Sequence, residues 1–101
     1  MIERIVLLKL VDGLCDVEGR EAVAAYSARA LSSIPGVLNC AASIAADSKT
    51  EGSWDVCLKV HFTALDAYET YAVDPTHLAY LEEYLPSRIT FKKAWNFELG
   101  C

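Results

Sequence analysis

Basic side chains are scarce in this chain of 101 residues: nine lysines and arginines stand against fourteen aspartates and glutamates, a formal net charge of −5. Phosphate binding needs a basic face, so this balance argues against nucleic acid as a partner. Long hydrophobic runs are also missing. No stretch approaches the ~20 apolar residues of a membrane span. The opening MIERIVLLKLVDG is broken by Glu3, Arg4 and Lys9, unlike a secretory leader. Histidine occurs only as His61 and His77, and Cys15, Cys40, Cys57 and Cys101 share no C-x-x-C spacing. That is a poor ligand set for zinc, and neither a metal nor a cofactor is expected. Reduced thiols without a leader suggest a cytoplasmic protein, with Cys101 at the terminus the thiol most open to oxidation.

What the chain has in plenty is apolar side chain, 53% of its residues, above the usual share. A domain of this size buries roughly 60–65% of its unfolded surface. A monomer would therefore leave apolar surface in water, and a second copy is the simplest cover. The length is that of one domain, spanning 1–101.

ERIVLLKLV (3–11) is apolar on both faces, with Val6, Leu8 and Leu10 on one side and Ile5, Leu7 and Val11 on the other, as in a strand covered twice. Asp16 reads as a helix N-cap, followed by a stripe of Val23, Tyr26, Ala30 and Ile34 that ends at Pro35-Gly36. VLNCAASIAA (37–46) is a second strand and DSKTEGS (47–53) a polar loop. WDVCLKVHF (54–62) alternates most clearly, placing Trp54, Val56, Leu58, Val60 and Phe62 inward and Asp55, Cys57, Lys59 and His61 outward. Thr63 and Asp66 resemble a capping box for a short helix bearing Leu65, Tyr68 and Tyr71. A second short helix follows Asp74-Pro75, striped by Leu78, Leu81 and Leu85. RITFKKAWNFEL (88–99) closes the chain as a strand with Ile89, Phe91, Trp95 and Phe97 on one face. Trp54 and Trp95 read as core aromatics. The order β-α-β-β-α-α-β predicts an α+β, ferredoxin-like fold: a four-stranded antiparallel sheet with helices on one face. Two such sheets packed by their bare faces would form a dimeric α/β barrel.

The chain also resembles the stress-responsive A/B-barrel (Dabb) family. The likeness is carried by MIERIVLLKLVDG, SIPGVLN, WDVCLKVHFTALDAYETYAVDPTHLAYLEEYLPSRI and FKKAWNFE, most specifically from Tyr71 to His77. The resemblance implies a homodimeric ferredoxin-like barrel and no single activity. Within it the chain is distantly similar to olivetolic acid cyclase, a plant polyketide cyclase whose catalytic tyrosine and histidine have the separation of Tyr71 and His77. Position 4 is Arg and position 56 Val where that enzyme has further histidines, and alanines stand at the start of the first helix where it has aromatics.

Three functional readings follow. The first is a dimeric barrel of unassigned activity that binds a small hydrophobic or phenolic molecule between helices and sheet, with Tyr26, Tyr68, Leu81 and Tyr84 as its lining. The second is a cofactor-free cyclase or isomerase. A helix N-terminus disfavours the imidazolium, so His77 would be a neutral general base and Tyr71 a hydrogen-bond donor to a carbonyl or enolate oxygen. The third, by analogy of fold alone, is a cofactor-independent monooxygenase. Against all three stands a local role, with His77 packed at the helix start and Tyr71 in the core. Lys59 and His61 would be polar residues of the barrel interior, close enough together to hold an anion or to pair across an interface.

Overall fold

The computed structural model describes residues 1–100; Cys101 lies outside them. β1 (Ile2–Leu10) runs between β3 (Val56–Phe62) and β4 (Ile89–Glu98), and β2 (Asn39–Ile44) flanks β3, giving the antiparallel order β2-β3-β1-β4. This is the ferredoxin-like arrangement. One face carries α1 (Val17–Ser32), α3 (Leu65–Ala72) and α4 (Pro75–Ala79), and buries Val6, Leu8, Leu58, Val60 and Phe62 against them.

α1 starts where Asp16 accepts a 2.7 Å hydrogen bond from the Gly19 amide. A Cβ on Gly19 would lie 2.3 Å from the Leu14 carbonyl oxygen, so only glycine lets the 3-10 turn Asp12–Leu14 fold back on the helix. The buried stripe is Arg20, Val23, Ala24, Ser27 and Leu31, with Ile34 just beyond. Tyr26 and Ala30, expected in that stripe, are rotated away. With alanines at 22, 24, 25, 28 and 30 several stripes look alike in sequence. Contact with the sheet selects the one with Ala24 and Ser27 at its centre, because small side chains allow close approach.

Other local expectations also shift. Residues 47–53 hold a one-turn helix, α2 (Ser48–Glu51), capped by Asp47 on the Thr50 amide at 2.8 Å. The Thr63–Asp66 box does not form: α3 has Ala64 at its N-cap, with no side-chain cap. α4 is capped by Asp74, which accepts from the Thr76 amide at 2.8 Å, with Pro75 at the first position. Beyond Ala79 the chain loosens into a π-helical turn (Tyr80–Tyr84). The inward face runs through His77 and Tyr80, and the wider turn brings Leu85 in line with them. Leu78 is left exposed and Leu81 partly buried, so the expected leucine stripe is only partly realised.

The second face of the sheet has no helix over it. Its cross-strand rows run Asn39–His61–Glu3–Phe97, Ala41–Lys59–Ile5–Trp95 and Ser43–Cys57–Leu7–Lys93. Trp95 is 47% exposed, and Phe91 and Phe97 are exposed beside it. The half-exposed Trp54 ring lies 6.0 Å from that of Phe91. Neither tryptophan is a core aromatic of the chain. Asp55, expected on this bare face, is wholly buried, because it precedes the strand and its carboxylate turns toward Arg20 and the end of β1.

Candidate functional site

The Asp-Pro break sets the start of α4 against the end of α3. From the third position of α4, the buried His77 ring donates Nδ1–H to the Ala72 carbonyl at 3.0 Å, occupying an acceptor at the end of α3 that has no helical partner. The bond also selects a tautomer: Nε2 is the unprotonated nitrogen of the neutral ring. Burial, opposed by the Ala72 hydrogen bond and reinforced by the positive charges of Arg4 and Lys92, lowers the His77 pKa below its ordinary value. The ring therefore stays neutral at pH 7 for reasons beyond its place at a helix N-terminus.

Tyr71 lies 4.3 Å from His77 between ring centroids, and 4.9 Å from Phe62 in an edge-on contact. Burial raises its phenol far above the ordinary range, so it is a hydrogen-bond donor and never a phenolate under physiological conditions. The structure puts the pair in ring contact without a hydrogen bond between them. Both border a cavity of about 20 Å³, whose further lining includes Arg4, Tyr80, Leu81 and Lys92. A space of that size holds about one water. A polyketide therefore has no preformed pocket here, because Leu31, Leu58, Leu81, Leu85 and the two tyrosines fill the space around His77.

The four residues expected to line one ligand pocket are dispersed. Leu81 borders the inner cavity. Tyr68 stands under Arg4, whose guanidinium carbon is 4.8 Å from the ring centroid. Tyr26 and Tyr84 stack at 3.8 Å on the outer surface, where they border an open cleft of about 540 Å³ between α1 and α4. Tyr80 is the one residue lining both spaces, and it shares a 2.6 Å hydrogen bond with buried Ser27 of α1. Lys59 and His61 both sit on the bare face as expected, but His61 Nε2 is 2.9 Å from the Glu3 carboxylate, which competes with any anion there.

Sequence reasoning missed one polar cluster altogether. Asp55 accepts from the Leu10 amide at 2.8 Å and from Lys9 Nζ and Arg20 Nε at 2.9 Å each, while Arg20 also reaches Glu51 at 3.4 Å. Burial by itself would raise the Asp55 pKa, and these three donors outweigh it and hold the carboxyl below its usual range. Cys40 is an inert core thiol, pushed up to about 11 by burial. No group of three or more histidine, cysteine or acidic side chains able to hold a metal occurs among the described residues, and no helix is long and apolar enough to cross a membrane.

Comparison with known proteins decides the family. Residues 2–91 match the stress responsive A/B barrel domain. The chain belongs to that family. No curated protein matches it. Among solved structures, this A/B-barrel chain is similar to a Dabb family protein with a ferredoxin-like fold from Mesorhizobium loti, at TM-score 0.76 and 20% identity over 98% of this chain and 97% of that one. A dimeric protein of unknown function from Bacteroides fragilis gives TM-score 0.74 and 22% identity, covering 97% and 95%. The hydroxynitrile lyase of Passiflora edulis gives 0.78 and 12%, covering 98% and 93%. At these identities the likeness is one of fold.

Proposed function

We propose that this A/B-barrel protein is a homodimer that binds a small molecule at the cavity between Tyr71 and His77. The observation that carries the reading is the state of His77: a buried, neutral imidazole on a cavity wall, its Nδ1–H committed to Ala72 and its Nε2 lone pair left over. In the conformation described the cavity holds about one water, so a larger ligand must displace the π-helical turn that carries Tyr80 and Leu81. Turns of this kind interrupt regular helices frequently at functional sites.

Dimerisation is supported by the bare sheet face. Ile5, Leu7, Phe91, Trp95 and Phe97 form an apolar patch on β1 and β4, and a second copy of the same face would cover it. The Bacteroides fragilis neighbour is described as dimeric.

A second reading follows from the fixed tautomer. Nε2 could accept a proton from carbon next to a carbonyl, while the Tyr71 hydroxyl donates a hydrogen bond to the enolate oxygen that forms. No metal or cofactor enters this step. That one neighbour is a lyase of hydroxynitriles agrees with acid–base chemistry on this fold.

Native mass spectrometry of the purified protein tests the main reading. A dimer carrying a defined extra mass that is lost on denaturation is the expected result. A monomer would overturn the barrel. A bare dimer that also shows no change in the His77 ring resonances across a panel of small organic acids and amides would overturn the ligand site.

A further inference from the structure

The chain as a whole is acidic, yet the rim of the Tyr71–His77 cavity is not. Its ionisable lining consists of Arg4, Lys92, Tyr71, His77 and Tyr80, with no carboxylate among them. Arg4 projects from β1 and Lys92 from β4, on the helix-covered face. They flank the pair Val6–Ala94, whose small Ala94 side chain leaves the floor of the cavity open. Neither cation pairs with an acid among the described residues. The partner of Arg4 is the neutral Asn96 side-chain oxygen at 3.0 Å, and its guanidinium lies over the Tyr68 ring. The contrast with Lys9 and Arg20 is direct, since both of those cations end on Asp55. The cavity thus has a positive charge on either side of the Val6–Ala94 pair, three neutral polar rings and leucines behind. An anion from outside the chain would find no carboxylate competing for them.

Resting on the reading of the cavity as a ligand site, we propose that its ligand is a small carboxylate with a compact apolar body. The carboxylate sits between Arg4 and Lys92 at the rim, and the apolar part enters toward Leu81 and Leu58. Arg4 offers remaining N–H donors in the planar fork that suits a carboxylate, and Lys92 adds a mobile point charge. This orientation lays the body of the ligand beside the His77 ring, whose resonances therefore report binding. A neutral ligand of the same shape would leave both cations uncompensated and gain only the apolar contacts.

The test is a calorimetric titration of the intact protein, with a parallel record of the His77 ring resonances. The probes are the sodium salts of acetate, butyrate, hexanoate and benzoate, their primary amides, and inorganic phosphate. At least one carboxylate is expected to bind and to shift His77, with its amide weaker by roughly tenfold to hundredfold, the usual weight of a hydrogen bond to a charged group. The pair Arg4→Gln and Lys92→Gln should lose binding by a similar factor, while Arg4→Lys, which keeps the charge, should restore part of it. Amides that bind as tightly as the acids would overturn the anionic head group while leaving the ligand site standing. Phosphate binding tighter than every carboxylate would overturn the carboxylate. If neither acids nor amides move His77, the site itself falls, and this proposal with it.

Discussion

At the end of β1, Lys9 and the Leu10 amide meet Asp55, with Arg20 and Glu51 completing the group; on the helix-covered face, Arg4 near the start of β1 and Lys92 of β4, opposite Leu8, line a cavity with His77 and Tyr71. Both clusters bring long polar side chains onto an apolar sheet. In the first, two cations face two carboxylates and the charges cancel. In the second, two cations face neutral rings and a small empty space. Asp55 and Arg20 are buried and need each other, because a buried charge without a partner is expensive. Arg4 is only partly buried and Lys92 is exposed, so water can solvate them. The cluster without a carboxylate is the one proposed above as a ligand site.

The largest effect expected from breaking this comparison is at the Asp55 cluster. Asp55→Ala removes the acceptor for three donors and leaves Arg20 and Lys9 facing each other. The loss should be about 3–5 kcal/mol, read from urea unfolding. A variant replacing Asp55 and Arg20 together by apolar residues should recover much of that loss, because it removes the buried charges and not just their partner. The pH dependence has a definite sign. The Asp55 carboxyl titrates lower in the folded state than in the unfolded chain, where a value of about 3.9 applies. Its contribution is therefore complete above about pH 4 and is lost as the pH falls through the lower native value. Asp55→Asn should flatten that part of the acid limb.

Next in size is His77→Ala, which strips the Ala72 carbonyl of its donor and Tyr71 of a ring neighbour. The cost should be about 1–3 kcal/mol. Here the sign is worked the same way with a different group. His77 has its pKa lowered by folding, so the neutral form is the one the fold favours. That stability is present above about pH 6.5 and declines as the pH falls through the lower native value. His77→Gln, which keeps a donor for Ala72 and cannot be protonated, should remove the decline. Asp74→Ala comes third: the loss of its 2.8 Å cap on the Thr76 amide should cost about 1 kcal/mol in thermal or urea unfolding.

How much of this was legible in the sequence depended on range. Asp16 and Asp74 were readable as caps because the signal is local: an acid followed at once by helix formers, with Pro75 reinforcing the second. The alternation of β3 was equally plain. The Thr63–Asp66 box misled because Ala64 holds the cap position and α3 begins one residue later than the pattern implies. Asp55 was placed outside by extending the alternation of β3 one residue past its real start. Its partners Lys9 and Arg20 are 46 and 35 residues away, beyond any periodicity. Trp95 was placed in the core because aromatics usually are, but only the sheet's pairing shows which face it shares with Ile5. The Tyr71–His77 contact lies within one short stretch and was foreseeable. The two cations over it come from opposite ends of the chain, and only the register of β1 against β4 puts them on one face.

The smallest effect on stability is expected at those two cations, and it separates the two clusters most sharply. Arg4→Gln with Lys92→Gln removes two positive charges that answer no carboxylate. Unfolding should change by no more than about 0.5 kcal/mol, the ordinary range for surface substitutions, and the change should be toward greater stability if the charges repel each other. The His77 pKa should rise, because both cations depress it and both would be gone. A titration of the ring resonance against pH reads that shift directly. Substituting the cations of the Asp55 cluster, Lys9 and Arg20, should do the reverse: a large loss of stability with no effect on His77. If substituting Arg4 and Lys92 instead destabilised the protein by several kcal/mol, the two clusters would be alike, and the rim of the cavity would be structure and not a site.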